Sequence, residues 1–562
     1  MKIKLPFLSF LSILFLCGCY SEKIEKPFIT FSNKNNLSVK IKSTTELKNW
    51  QLKDIQQDSL PGISLERAYT ELLKNKKGEE VIVALLDDHL DIDHEDLKAQ
   101  IWINSNEIPA NGKDDDNNGY IDDVNGWNFT GNSKGEQVIY MNNETVRILR
   151  ELESLYRGNT LDDFTEGKKR EGFIYYQRVQ NEFEKQKTKA QKRLKYADFL
   201  IAAYPVVIAT LTERIPDGDF TIEKLNKIII DSGNVKLKSS VRFMSDMINL
   251  HKSRKDFDIT KEGAEAAFTK ALNLDYNERT AIIGDNPEDV TDIYYGNNKV
   301  GTHLEYFQHA TQVASVVAAT RNNNLGIKGV SDTIKIMPVC VSTEGNEHDK
   351  DIAVGIKYAV DNGAKIINIS LGKMFSLHSD WVFDAFKYAE EHGVLIVSSA
   401  GNSNYNLNEE NDYYFMDNLD NGKEVSGNFL LVGSSSRQVN ENLKSRFSNY
   451  GTIDVDVFAP GDSIYVAYPE NKYLFNSGTS LASALTSGVA ALILSYYPHL
   501  SGNDVKQILM QSGVAYDLKV NIAGRDEEPK LASFKEISKS GRILNAYNAI
   551  LLASKWPVED SN

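Results

Sequence analysis

Apolar residues cluster along this chain in three distinct ways. Val81–Leu86 (VIVALL) is a continuous apolar run of strand length, which predicts a parallel strand buried on both faces. Ile334–Val339 is a second such run, and Cys340 behind it reads as a buried core thiol. Small residues dominate two other stretches, 309–319 (HATQVASVVAA) and 477–488 (SGTSLASALTSG), each predicting a closely packed helix. The third pattern is amphipathic. Val146, Leu149, Leu152 and Tyr156 recur at helical spacing within 144–157, and Tyr176, Val179 and Phe183 continue it before the apolar stretch 199–211. The stretches 504–511 and 542–554 predict closing helices.

Candidate chemistry sits at the junctions of these elements. Ser480 follows a turn of small residues at the start of an Ala-rich helix, where free N–H groups and the helix dipole favour developing negative charge. Asp87 ends the VIVALL run, where α/β sheets present carboxylates to a ligand crevice. His309 opens the other small-residue helix. Each has a bland alternative: a helix start, a cap and a satisfied core histidine. Asp, His and Ser in that chain order form one of the known arrangements of the hydrolytic triad.

Around these residues the sequence resembles the subtilisin-type serine proteases. Residues 86–97 (LDDHLDIDHEDL) are similar to that family's Asp block, 309–319 to its His block and 478–488 to its Ser block. Residues 366–372 (IINISLG) resemble its substrate-pairing strand, and 394–402 (VLIVSSAGN) the strand that ends in its oxyanion asparagine. The segments 447–451 and 457–461 are also family-like. The resemblance implies a doubly wound α/β fold with a mainly parallel sheet. It implies Ser480 as nucleophile, His309 as general base and acid, Asp87 as the group orienting the imidazole, and Asn402 with the Ser480 N–H as oxyanion donors. Ser370, Leu371, Gly372 and Gly401 would bind the substrate, the first three by pairing with its main chain. The chain departs from the family pattern at Asp88–His89, where a small residue and Gly are usual. A histidine there would enter a tight turn at steric cost. Ala310 replaces a Gly and would crowd the cleft; Ala484 replaces a Pro and Leu481 a Met, without removing a reacting group. A catalytically inactive peptide-binding relative or an adaptor is the alternative function.

The stretch 111–123 (NGKDDDNNGYIDD) sets Asp114, Asp116 and Asn118 at alternate positions, with Gly119 sixth, Tyr120 seventh and Asp122 ninth. This matches the first part of a calcium loop. Asn125 stands where the loop's last glutamate belongs, and a solvated acidic loop is the alternative reading. The family resemblance suggests a second calcium site at Asp96 with Asn323. Calcium is therefore the expected cofactor, in a structural role.

Composition adds a compartment. The chain has 562 residues and a formal net charge of −15, which argues against nucleic-acid binding. Lys2 and Lys4 precede an apolar stretch from Leu5 to Leu16 that is too short to span a bilayer. Residues 1–18 read as a signal peptide, and Leu16-Cys17-Gly18-Cys19 resembles a lipobox in which Cys19 is lipidated; plain secretion with nearby cleavage is the alternative. A polar tether, 19–46, would follow. The lead-in helix of the protease body falls within 50–73, and no room is expected for an inhibitory prodomain. Far more residues separate Asp87 from His309 than compact family members need. The excess, 131–283, predicts a mostly helical insertion between two parts of the protease domain, 47–130 and 284–562. Because it is rooted on both sides of the active site, it is expected to act as a lid or docking element. The whole reads as a lipid-anchored serine endopeptidase of the bacterial cell envelope, acting on protein or peptide substrates and touching membrane through its anchor.

Overall fold

The computed structural model describes residues 30–32, 47–231, 233–409, 423–524 and 527–557. The signal-like segment 1–18, Cys19 and most of the tether lie outside them. A ten-stranded sheet forms the centre. Its strands in chain order are β1 (Thr30–Ser32), β2 (Val81–Asp87), β3 (Trp127–Asn128), β4 (Ile334–Cys340), β5 (Ile366–Ile369), β6 (Leu395–Ser399), β7 (Phe429–Ser435), β8 (Val457–Pro460), β11 (Val514–Asp517) and β14 (Arg542–Ile543). The spatial order is β1-β11-β14-β8-β7-β6-β5-β2-β4-β3, and only the β11–β14 pair is antiparallel. Two hairpins, β9 (Ile464–Tyr468) with β10 (Lys472–Asn476) and β12 (Lys519–Asn521) with β13 (Leu531–Ser533), lie outside it.

Strand β2 shows why the sheet is buried on both sides. Val83 and Leu85 join one apolar layer with the helices His309–Ala318, Thr479–Tyr496, Gly502–Ser512 and Ala546–Ala553. Ala84 and Leu86 face the other, with Asp349–Asp361 and Ser379–Glu391. Successive strand side chains point to opposite faces, so a run without polar alternation is what two covered faces require. The closing helix expected from residue 542 begins later. Arg542 and Ile543 are taken by the sheet as β14, and the helix runs Ala546–Ala553 with Asn545 as its cap.

Between β3 and the His309 helix lie the helices Glu144–Tyr156, Lys168–Thr212, Ile222–Asn226, Val235–Asn249 and Arg254–Ala266. Val207, Leu211, Leu225, Leu237, Met244 and Phe257 form a small core made from this region alone. A further cluster, with Ile148, Phe173 and Val179, packs against Phe375 and so joins the region to the sheet domain.

Candidate active site

Strand β2 delivers Asp87 to the C-terminal edge of the sheet, buried there. Its carboxylate accepts from His309 Nδ1 at 2.8 and 2.9 Å and from the backbone N–H of Asp88 at 2.7 Å. Burial alone would lower the imidazole pKa. The neighbouring carboxylates of Asp87 and Asp88 outweigh it and raise His309 to about 9. Ser480 stands in the first turn of Thr479–Tyr496. Its Oγ donates to the Ser370 carbonyl at 3.2 Å, so rotation of the hydroxyl is needed to bring it onto His309. Such loosened contacts are common before substrate binds.

Asn402 is oriented from behind. Its Oδ1 accepts from the Thr479 N–H at 2.9 Å and from Thr479 Oγ1 at 3.0 Å, which leaves Nδ2 as the free end. A methyl placed on Gly478 would lie 3.7 Å from Ser480 N and 3.9 Å from Asn402 Nδ2. Both donors therefore flank one small space that the glycine keeps open. Thr479 and Gly478 lie inside the small-residue run, yet nothing in its spacing singles them out. Asp87, His309, Ser480 and Asn402 line one cavity of about 540 Å³ together with Ser370, Leu371, Gly372 and Gly401.

Asp88 and His89 behave differently from the sequence expectation. His89 is absent from the described residues with positive φ, so no left-handed turn strains it. It is fully buried, stacks on Phe307 with centroids 4.9 Å apart, and burial lowers its pKa to about 3. Asp88 accepts from the N–H groups of Ala310 (2.8 Å) and His309 (3.1 Å). The helix that carries His309 has no side-chain cap of its own, so Asp88 satisfies its first amides from across the cleft. Burial, then the charge of Asp87, raises Asp88 to about 7. Ala310 is buried in the core and does not line the cavity, so the expected crowding is absent.

The acidic loop is organised around a residue outside its spacing. Glu107, Asp114 and Asp116 bring carboxylate oxygens within 4.8 Å of one another and could hold an ion. Glu107 Oε1 accepts from the N–H groups of Asp115 and Asp116, while Oε2 is buried without a partner. Asn118 stays close, donating to Asp116 and Asp123. Asp122 turns away and accepts from the N–H groups of Asn111 and Gly112. Asp123, fully buried, takes the inward position instead. The Tyr120 ring is buried against Trp127 and Tyr358. At the second candidate site, Asn323 Nδ2 donates to Asp96 Oδ1 at 2.6 Å and the Ile327 N–H to Oδ2 at 3.1 Å. Both oxygens of Asp96 already have protein partners.

Comparison with known proteins follows the same lines. The chain is 33% identical over 248 residues to the thermophilic serine proteinase of Bacillus sp. (strain AK1), covering 44% of this chain and 53% of that one. It is 37% identical over 188 residues to thermitase of Thermoactinomyces vulgaris, covering 33% and 61%. With subtilisin DY of Bacillus licheniformis it shares 34% over 202 residues, covering 36% and 68%. The chain thus spans about half of the first relative and 61% of the second. The Subtilase family model matches residues 78–528, the span that contains Asp87, His309, Asn402 and Ser480, and the chain belongs to that family.

Proposed function

We propose that this chain is a serine endopeptidase that hydrolyses peptide bonds through Asp87, His309 and Ser480. The observation that carries the reading is the 2.8 Å bond between His309 Nδ1 and Asp87, set in a cavity shared with Ser480 and Asn402. Deprotonated His309 takes the Ser480 proton through its other ring nitrogen as Oγ attacks the carbonyl carbon. Asn402 Nδ2 and the Ser480 N–H then donate to the new oxyanion. Collapse of the tetrahedral intermediate breaks the C–N bond, and His309 returns the proton to the leaving amine. Water repeats the sequence on the acyl-enzyme. Asp87 holds the Nδ1–H tautomer throughout. The names of the relatives, proteinases among them, support the same activity. An active-site fluorophosphonate should label the wild type and not Ser480→Ala; absence of labelling in a folded wild type overturns the reading in favour of a non-catalytic peptide binder.

The cluster of Glu107, Asp114 and Asp116, with Asn118 and Asp123 beside it, offers oxygen donors only, which suits calcium. Calcium would neutralise these carboxylates and fix the loop without entering the reaction. Lipidation at Cys19 and residence in the cell envelope rest on the sequence pattern around Leu16–Cys19. Cys19→Ala should then release the protein from the membrane fraction and end lipid labelling, and indistinguishable fractionation would defeat the assignment. The helical region 131–283 is read as an insertion that governs access to the cleft.

A further inference from the structure

The inserted region reaches the catalytic cavity itself. Its backbone pairs with the cavity wall: Met141 N–H donates to Glu344 O at 2.9 Å and Glu344 N–H to Ile139 O at 3.0 Å. Arg147 donates to the carbonyls of Asn346 (3.0 Å) and Glu347 (2.9 Å), so the wall and the insertion form one unit. On this base lies the Lys168–Thr212 helix, whose Lys189 lines the 540 Å³ cavity that contains Ser480. Lys189 also lines an adjoining cavity of about 460 Å³, and Glu344, Gly345 and Asn346 are common to both.

The other charged groups of the catalytic cavity are either paired or buried. Asp87 holds His309, and Asp88 holds the amides of His309 and Ala310. Glu344 is paired with Arg193 at 3.7 Å, and Glu347 is buried, which raises its pKa and disfavours its charge. Lys185, one turn before Lys189, pairs with Glu182 at 3.5 Å. Lys189 is exposed and makes no ion pair among the described residues. It is the uncommitted charge at the rim, on the wall that shares the cavity with Ser370–Gly372.

We propose that Lys189 is a specificity-determining residue that receives an acidic side chain of the substrate, two to four residues before the scissile bond. A peptide paired with Ser370–Gly372 as an added strand projects its side chains alternately to opposite faces, and a carboxylate on the face toward Lys189 would meet the ammonium. This rests on the endopeptidase reading, and the test separates the two. Full-length enzyme is titrated with a fluorophosphonate to count reactive Ser480. Rates per labelled site are then measured on internally quenched peptides that differ only by Glu, Ala or Lys at the second, third or fourth residue before the bond. Wild type should favour Glu over Ala at one of these positions by about five- to tenfold at low salt, with the preference shrinking as salt rises. Lys189→Ala should remove the preference, and Lys189→Glu should turn it toward Lys. A wild type indifferent to charge or favouring Lys, or a Lys189→Glu variant with unchanged preference, overturns the proposal while leaving the endopeptidase in place. A wild type that does not label at Ser480 overturns both.

Discussion

Two long helices, each with an apolar stretch, differ sharply in their surroundings. Thr479–Tyr496, which carries Ser480, and Lys168–Thr212, which carries Lys189, both contain a window of 18 residues apolar enough to cross a membrane by length and composition. In the first, 94% of that window is buried; in the second, 22%. Similar apolar content leads to opposite environments because the first helix contacts β5, β6, β7 and β8 together, whereas the second has helical neighbours along part of its length. Ser480, the proposed nucleophile, is thus set in the closely packed part of the molecule. The specificity residue proposed above, Lys189, sits where a side chain can change without disturbing the core. If that division is right, damage to the body should cost orders of magnitude in rate or several kcal/mol, and damage to the insertion should alter preference.

The largest expected effect is the loss of Ser480 or His309. Ser480→Ala and His309→Ala should each lower kcat by about 10⁴-fold or more and leave thermal unfolding near that of the wild type, because groups that act as a unit fail together. Asn402→Ala should cost less, about 10²–10³ in kcat, which is the size known for removing one oxyanion donor from a subtilisin. Steady-state kinetics of all three, corrected for folded fraction by calorimetry, checks the order. A Ser480→Ala enzyme with wild-type turnover would end the proposed mechanism.

Much of this site is legible in the sequence because catalysis needs particular atoms at particular junctions. Asp87 at a strand end and His309 and Ser480 at helix starts are such junctions, and the run 81–86 announces a sheet covered on both faces. The rest depends on contacts between distant segments. Asp88 reads as a departure from a family pattern until the amides of His309 and Ala310 come to it from across the cleft. Glu107 precedes the calcium-like loop and obeys no loop spacing, so only folding brings it beside Asp114 and Asp116. Lys189 looks like any solvated helix lysine. Asp122 fits the loop spacing, and what spacing does not show is that its carboxylate accepts from the Asn111 and Gly112 N–H groups.

The border between body and insertion gives the next prediction. Arg279 lies within 131–283, yet its guanidinium is fully buried and pairs with Asp285 (2.6 Å) and Asp351 (2.7 Å). By packing it belongs to the body. Arg279→Ala leaves Asp285 with Lys350 alone and Asp351 with only the Tyr295 hydroxyl, removing the one ion pair that buried Asp351 makes among the described residues. It should cost about 3–5 kcal/mol, whereas breaking the exposed Lys227–Glu223 pair should cost at most about 1 kcal/mol. Chemical denaturation of both variants decides it, and equal costs would erase the border. Any deletion meant to test the access role should therefore keep Arg279. Such a variant is expected to label at Ser480 and to cleave folded proteins more readily relative to peptides. An unchanged ratio in a labelled variant would remove the lid reading.

A smaller effect concerns the acidic loop. Saturating calcium should raise Tm and a chelator lower it, with about 2.7 kcal/mol of stabilisation at a hundredfold excess over Kd. Glu107→Gln should reduce that response, because Glu107 Oε2 is the buried oxygen without a protein partner. A melt indifferent to calcium and chelator would reject the ion, and an unaltered response in the glutamine variant would reject Glu107 as a ligand.

The finest test concerns Asp88, which belongs to the body by position and acts through the His309 helix. Two negative charges, those of Asp87 and Asp88, raise His309 against the effect of burial. The base works only when deprotonated, so kcat/KM should rise with pH through the His309 pKa. Asp88→Asn keeps one oxygen for the helix amides and removes a charge. Its acid limb should therefore move to lower pH, by a shift smaller than any produced through Asp87. The stability profile carries the matching sign. A protonated His309 with a raised pKa favours the folded state most below about pH 6.5, and that contribution fades as pH rises through about 9. Asp88 itself, raised to about 7, favours the folded state most below its ordinary value near 3.8, and that advantage is lost on ionisation as pH rises through about 7. Asp88→Asn should thus flatten the stability curve between roughly pH 4 and 7 while shifting the rate profile. A cap with no electrostatic role would lower Tm evenly across that range and leave the acid limb in place, and that outcome would reduce Asp88 to a structural residue.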